Sequence, residues 1–476
     1  MLRQLFDRET RAFFELQRAV FGARASHLSL VSSGATALVG VEVPLVFEDV
    51  KFNRPVVVRN GAIVTIRLAA LARGPNLVEV ALRSEETSFQ IDHFRAVCRF
   101  GSEDSKHETG CTDTQYLQLA PAEFPPINID PDGDLYGGIL FQRGRFRRLR
   151  GYRLLKAKEC FAEIRSGTTT DWFNRYLPAR LLLGDCGARD SAIHAIQACI
   201  PQARLLPVGV EKFVPAVTGT SEPHFVHARE RSREGDTFTY DLQVISVNGC
   251  LLERWEGLQL RRFGGATIQG GWVEPLLGPY LERRVNELIP ERAVSIVVEH
   301  DPKIDLTARS DRAVQWATGE AVSVMRRPDG KPEVTSKGGV EVSVSHAGDT
   351  TMAVAGKAPL GCDIEYVVNR PPSVWRALLG PDRYALAELV AREAGEDETA
   401  AVTRVWSATE CLKKAGTMVN TPLVLLSSEV DGWVKLASGP LVIATVVAQV
   451  RGDQNRLAIA LLVSNEAARP ENSVIA

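Results

Sequence analysis

The strongest constraint on the fold lies in the last third of the chain. There Gly361-Cys362-Asp363-Ile364-Glu365 is followed by Trp406-Ser407-Ala408-Thr409-Glu410-Cys411-Leu412-Lys413-Lys414-Ala415-Gly416. As a strand, the first run puts Asp363 and Glu365 on one face, because side chains alternate with period two. As a helix, the second places Glu410 and Lys414 one turn apart. Three gathered carboxylates repel unless a cation lies between them, so an oxygen-liganded Mg²⁺ that also binds substrate phosphates is the expected occupant. Upstream, Ser343-Val344-Ser345-His346-Ala347-Gly348 reads as a strand ending in a turn, and Arg326 to Pro332 as a cationic turn. Together they offer hydroxyl, imidazole and charged donors to an anion. Singly, an Asp-x-Glu is usually a solvated strand edge and a Glu/Lys pair a surface ion pair. The ordered set in one domain-sized segment is what points to a site.

The order Gly330-Lys331-Pro332, SVSHAG, GCDIE and WSATECLKKAG, spread over residues 291–476, resembles the phosphopantetheinyl transferases. The resemblance implies an α+β domain that moves 4′-phosphopantetheine from coenzyme A, the co-substrate, to a serine of an acyl carrier protein. It further implies that Asp363, Glu365 and Glu410 hold Mg²⁺ and that Lys414 stabilises charge on the phosphoryl group. Lys331, Ser345 and His346 would grip the nucleotide phosphates with help from Arg326 or Arg327, and Glu410 or a metal-bound water would act as base. Thr409 departs from the family pattern, which often has Lys before the helical Glu, but it is not one of the expected ligands.

At 476 residues the chain suits two or three domains. Hydrophobic residues at 45% and charged residues at 24% are those of a globular protein. A net charge of −2 without a basic stripe argues against nucleic acid as a partner. No long apolar run or signal peptide is visible, so no membrane partner and a cytoplasmic location are expected. The eight cysteines show no CxxC spacing and read as reduced thiols.

Strand-like runs separated by turns occupy residues 46–100, and a second round follows: a strand over 152–164, an apolar helix over 191–200, and strands over 205–208, 225–230, 237–247 and 249–260. Two sheets, each with a helix, would make a double hot dog. Leu2 to Val20 has the spacing of an amphipathic helix. The helical run 275–288 reads as the end of the first domain, which gives domains at 1–290 and 291–476.

This first region also resembles polyketide synthase dehydratase domains, through Phe47-Glu48-Asp49-Val50, Asp134-Leu135-Tyr136-Gly137-Gly138-Ile139-Leu140-Phe141, the run from Gly187 to Gln197, and Leu206-Pro207-Val208-Gly209. A dehydratase followed by a phosphopantetheinyl transferase is similar to the C-terminal end of enediyne-type iterative synthases. Dehydration of a 3-hydroxyacyl thioester needs a base for the α-proton and an acid for the departing hydroxyl. Asp190-Ser191-Ala192-Ile193-His194 fits the family's DxxxH element, which makes Asp190 the expected acid with His194 beside it. The family's HxxxGxxxxP element is missing, and neither His27 nor His93 replaces it, so the double hot dog is expected to be incomplete at its start.

Three functions follow. The first is a Mg²⁺-dependent transferase within polyketide biosynthesis. The second is a dehydratase whose His comes from another chain, such as an upstream polyketide synthase. The third is a non-catalytic hot-dog scaffold that docks the carrier protein. Dehydratase families often pair, so a homodimer is also open.

Overall fold

The computed structural model describes residues 46–57, 63–100, 125–165, 185–215, 224–265, 270–290, 293–328, 330–335, 339–418 and 421–464. The chain forms two compact units, Met1–Thr267 and Ile268–Ala476. The amphipathic segment expected over 2–20 and His27 lie outside the described residues.

The first unit contains β1 (Val46–Phe52), β2 (Ile66–Gly74), β3 (Leu77–Ser84), β4 (Phe94–Arg99), β5 (Leu149–Leu155), β6 (Glu159–Ile164), β7 (Ala203–Val214), β8 (His224–Glu234), β9 (Thr237–Ser246) and β10 (Leu251–Gly265). The sequence suggested two sheets, but these strands form one ten-stranded sheet in the order β2-β3-β4-β1-β7-β10-β9-β8-β6-β5. Antiparallel pairing of β1 with β7 joins the two rounds. Across that seam Phe47 lies opposite Phe213, and Phe213 opposite Trp255, with ring centroids 5.7 and 4.1 Å apart. Cross-strand aromatic pairs of this kind stabilise a sheet beyond their area. The strand expected over 152–164 is a hairpin of β5 and β6, broken at Lys156–Lys158.

Helix α1 (Cys186–His194) continues as a 3₁₀ turn to Cys199. It starts earlier than periodicity suggested, because the Asp185 carboxylate accepts from the N–H groups of Gly187 and Ala188 and caps it. Every residue of α1 is buried, and the 3₁₀ turn packs on β6. A sheet around a buried helix is the hot-dog arrangement expected of the second round. Cys98, Cys160, Cys186 and Cys199 here, and Cys362 and Cys411 in the second unit, are buried thiols. Cys250 is disulfide-bonded, contrary to the reading of all eight as thiols, which spacing could not reveal.

The second unit begins with α2 (Glu274–Leu288), β11 (Ser295–His300) and α3 (Leu306–Thr318). It continues with β12 (Val324–Arg326), β13 (Pro332–Val334), β14 (Glu341–Ala347), β15 (Thr350–Gly356), β16 (Leu360–Tyr366), α4 (Pro372–Ala394) and α5 (Glu398–Lys414). It ends with β17 (Val424–Ser428), β18 (Val434–Ser438), β19 (Leu441–Ala448) and β20 (Leu457–Ser464). The sheets run β11-β15-β14 and β16-β20-β19-β18-β17, with β12-β13 as a small hairpin. The sequence placed α2 in the first domain, but it belongs here, so the break falls at 267/268 rather than 290/291. Leu277, Leu281 and Val285 of α2 share one buried core with Ile296 and Val298 of β11. Gly278 permits the approach, since a Cβ there would lie 3.0 Å from the Ile296 carbonyl oxygen. No described helix is long and apolar enough to cross a membrane.

Candidate functional site

In the first unit, Asp190 and His194 face the same way from α1, and His194 Nδ1 lies 3.2 Å from Asp190 Oδ2. His194 Nε2 is 3.0 Å from the Tyr136 hydroxyl, which accepts from the Leu149 N–H at 3.2 Å. Both contacts are met when Nδ1–H donates to the Asp190 carboxylate and the Tyr136 phenol donates to Nε2, its oxygen still accepting from the Leu149 N–H. Burial pushes the Tyr136 phenol up to about 12, so it stays a donor. Asp190, His194 and Gln197 line a small cavity of about 30 Å³ walled by Leu140, Leu205, Leu206 and Leu260. Gln197 is committed to the backbone, donating to the Ile200 and Ala203 carbonyls and accepting from Leu205 N–H.

Arg189, one residue before Asp190, anchors α1 to β10. It donates to Glu253 through both Nε, at 3.1 Å, and a terminal nitrogen, and its guanidinium lies 5.3 Å from the Phe213 ring centre. Sequence reasoning brought Asp190 and His194 together as the structure does, but gave no role to Tyr136, Arg189 or Glu253. Tyr136 stood inside a quoted motif without a signal for its hydroxyl's partner. His93 lies apart from this cavity's lining: it is fully buried and hydrogen-bonded to Ser84 and to the Arg54 and Pro55 carbonyls.

In the second unit, β14, β16 and the end of α5 converge. Helix α5 is capped by Asp397, which accepts from the Ala400 N–H, and carries Glu398 at its start and Lys413 and Lys414 at its end, in accord with its dipole. Gly361 lets α5 approach β16, since a Cβ there would lie 2.5 Å from the Cys411 carbonyl oxygen. Lys414 Nζ thereby donates to the Cys362 carbonyl at 3.0 Å and to Asp363 Oδ1 at 2.8 Å. Burial pushes the Asp363 carboxyl up while Lys414 opposes it; burial and the Asp363 charge push Glu365 up as well.

The expected Glu410–Lys414 pair does not form. Glu410 accepts from Lys413 at 2.5 Å, and Lys414 turns to Asp363. Glu365 accepts from the Trp406 indole at 3.4 Å. Among the described residues no three His, Cys, Asp or Glu side chains converge as a metal ion requires. Asp363 bonds Lys414 and Ser345 through Oδ1 and keeps a buried Oδ2 without a hydrogen-bond partner, and the expected Mg²⁺ set of Asp363, Glu365 and Glu410 is not gathered into one group in this arrangement.

The phosphate-binding expectation fares differently. Arg326, Arg327, Lys331, Ser345, His346 and Lys414 line one groove of about 860 Å³, joined there by Lys413. Lys331 donates to the Lys414 carbonyl at 3.3 Å, and Arg326 bonds Ser310 and Asp311. Ser345 is committed within the protein: it donates to Asp363 Oδ1 at 2.9 Å and accepts from the Ile364 N–H. Ser343 likewise accepts from the Cys362 N–H, so two serine hydroxyls of β14 satisfy the edge of β16. Burial, with Arg309, Lys414 and Arg326 nearby, pulls His346 down to about 4, which leaves it neutral at physiological pH.

Residues 121–268 match the family described as polyketide synthase dehydratase N-terminal domain. No curated protein matches the chain. Among solved structures, the dehydratase domain of a mycocerosic acid synthase-like polyketide synthase is 18% identical with a TM-score of 0.40, covering 52% of this chain and 82% of that one. The dehydratase domain from the CurJ module of curacin polyketide synthase is 15% identical with a TM-score of 0.41, covering 50% and 82%. That of RzxB from Pseudomonas fluorescens is 16% identical with a TM-score of 0.38, covering 50% and 84%. The chain thus carries, at residues 121–268, a segment similar to polyketide synthase dehydratases, with the hot-dog fold.

Proposed function

We propose that the first unit acts on a 3-hydroxyacyl thioester tethered to an acyl carrier protein, as a dehydratase-type lyase. The observation that carries this is the buried Tyr136–His194–Asp190 chain at a cavity with apolar walls, inside the segment that matches the dehydratase family. In the step, a base takes the α-proton, the electron pair forms the Cα=Cβ bond, and the C–O bond breaks. Asp190 protonates the departing hydroxyl, which leaves as water. His194 orients Asp190. No described residue is assigned as the base, which on this reading comes from another chain.

The test is mass spectrometry of a 3-hydroxyacyl carrier protein incubated with the full chain, with an upstream synthase chain present or absent. Loss of one water, abolished in Asp190→Asn, supports the lyase. Retention of the hydroxyl in every arm, with the carrier still bound, favours the non-catalytic scaffold.

A second reading concerns the second unit and rests on the cationic groove: transfer of 4′-phosphopantetheine from coenzyme A to a carrier serine. On this reading Lys331, Lys414, Arg326 and Arg327 bind phosphate oxygens, and Lys414 offsets charge on the transferred group. Intact-mass measurement of an apo carrier protein with coenzyme A, with and without Mg²⁺, checks it. Gain of one phosphopantetheine arm, lost in Lys414→Ala, is the expected result, and no gain in any arm refutes it.

A further inference from the structure

His346 and Thr351 face each other across the β14–β15 hairpin, in direct register. The hairpin turns through Gly348 and Asp349, and Gly348 has φ of +56°, as a tight two-residue turn requires. His346 Nδ1 lies 2.9 Å from Thr351 Oγ1. On its other side the same oxygen accepts from Arg309 Nε at 2.8 Å. Arg309 comes from α3, is 3% exposed, and also donates to the Asp301 and Gly348 carbonyls at 3.1 Å each. It therefore holds both the turn and the threonine.

The polarity of this chain follows from its donors. A guanidinium can only donate, so Thr351 Oγ1 accepts from Arg309. Thr351 is fully buried, and the acceptor beside its hydroxyl proton is His346 Nδ1. Were Nδ1 protonated, that hydroxyl proton would face another proton and go unsatisfied, at a cost of about 1–3 kcal/mol. Nδ1 is then the acceptor, and the imidazole proton sits on Nε2. His346 is one of the residues that line the groove of the second unit.

We propose that Arg309 and Thr351 are positioning residues that fix His346 in the tautomer whose Nε2–H donates to an anionic oxygen in the groove. This rests on the reading of that groove as a phosphate-binding site. His346 then serves as a directed hydrogen-bond donor among cations, not as one more charge.

The test uses the full chain with ¹⁵N-labelled histidine. Long-range ¹H–¹⁵N correlation at neutral pH distinguishes the tautomers, and His346→Gln identifies the signal. The expected result is Nε2–H for wild type, a mixture of tautomers for Thr351→Val, and restoration in Thr351→Ser. Pyrophosphate titrated into the same samples should bind Thr351→Val about 3- to 10-fold more weakly than wild type, the value of one hydrogen bond. Nδ1–H in wild type, or an unchanged tautomer in Thr351→Val, overturns the proposal. Absence of pyrophosphate binding by wild type, with the tautomers as expected, removes the groove reading and with it the role of the donor. Arg309→Lys extends the test if it folds; the threonine variants decide it if it does not.

Discussion

Replacement of Glu253 by Gln probes the anchor that holds Asp190 in place. Arg189 and Glu253 have side chains only 3% and 10% exposed, so neither charge is well hydrated in the folded state. Breaking such a pair from one side costs about 3–5 kcal/mol, mostly because the remaining charge is left buried. Glutamine keeps one acceptor for the guanidinium, and the Asp185 carboxylate also acts on Arg189, so a loss near the lower limit, about 3 kcal/mol, is expected. With two compact units a single unfolding midpoint is ill-defined. The assay is therefore hydrogen exchange over residues 186–199, where a loss of about 3 kcal/mol raises the opening population roughly 100-fold. The double variant Arg189→Met/Glu253→Leu removes both charges and should recover most of the protection. A loss below about 1 kcal/mol in Glu253→Gln would refute the anchoring argument.

Three further outcomes are expected. Gly361→Ala pushes a Cβ into the Cys411 carbonyl and should cost about 1–3 kcal/mol, with faster hydrogen exchange in β16 and the end of α5; unchanged exchange would contradict the close approach. Burial raises Glu159, but His227 and Arg229 outweigh it and hold the carboxyl at about 2, against 4.5 for a free one. Its stabilising contribution is full above pH 4.5 and is lost as pH falls toward 2; allowing for partial exposure it is about 2 kcal/mol. Acid unfolding of Glu159→Gln, with a correspondingly shallower pH dependence, checks this. His346, held at about 4, should remain neutral in an NMR titration from pH 8 to 5.5, and pyrophosphate in the groove should move its midpoint upward; a midpoint near 6.5 in the free protein would refute the burial argument.

The sequence by itself determined what alternation and spacing can encode. Asp363 and Glu365 share a face of β16, Asp190 and His194 share a face of α1, and the groove residues come from the segments expected of them. These relations are local, because strand and helix periods decide which neighbours point the same way. Tertiary structure decided the partners. Lys414 chose Asp363 over Glu410 because Gly361 brings α5 against β16, and glutamate is left to Lys413. Helix α2 joined the second unit because its apolar face matches β11, which hydropathy alone cannot assign to one neighbour over another. One sheet formed where two were expected because β1 meets β7 through residues more than 150 positions apart. Such pairings depend on which surfaces exclude water together, and no window of the sequence contains both partners.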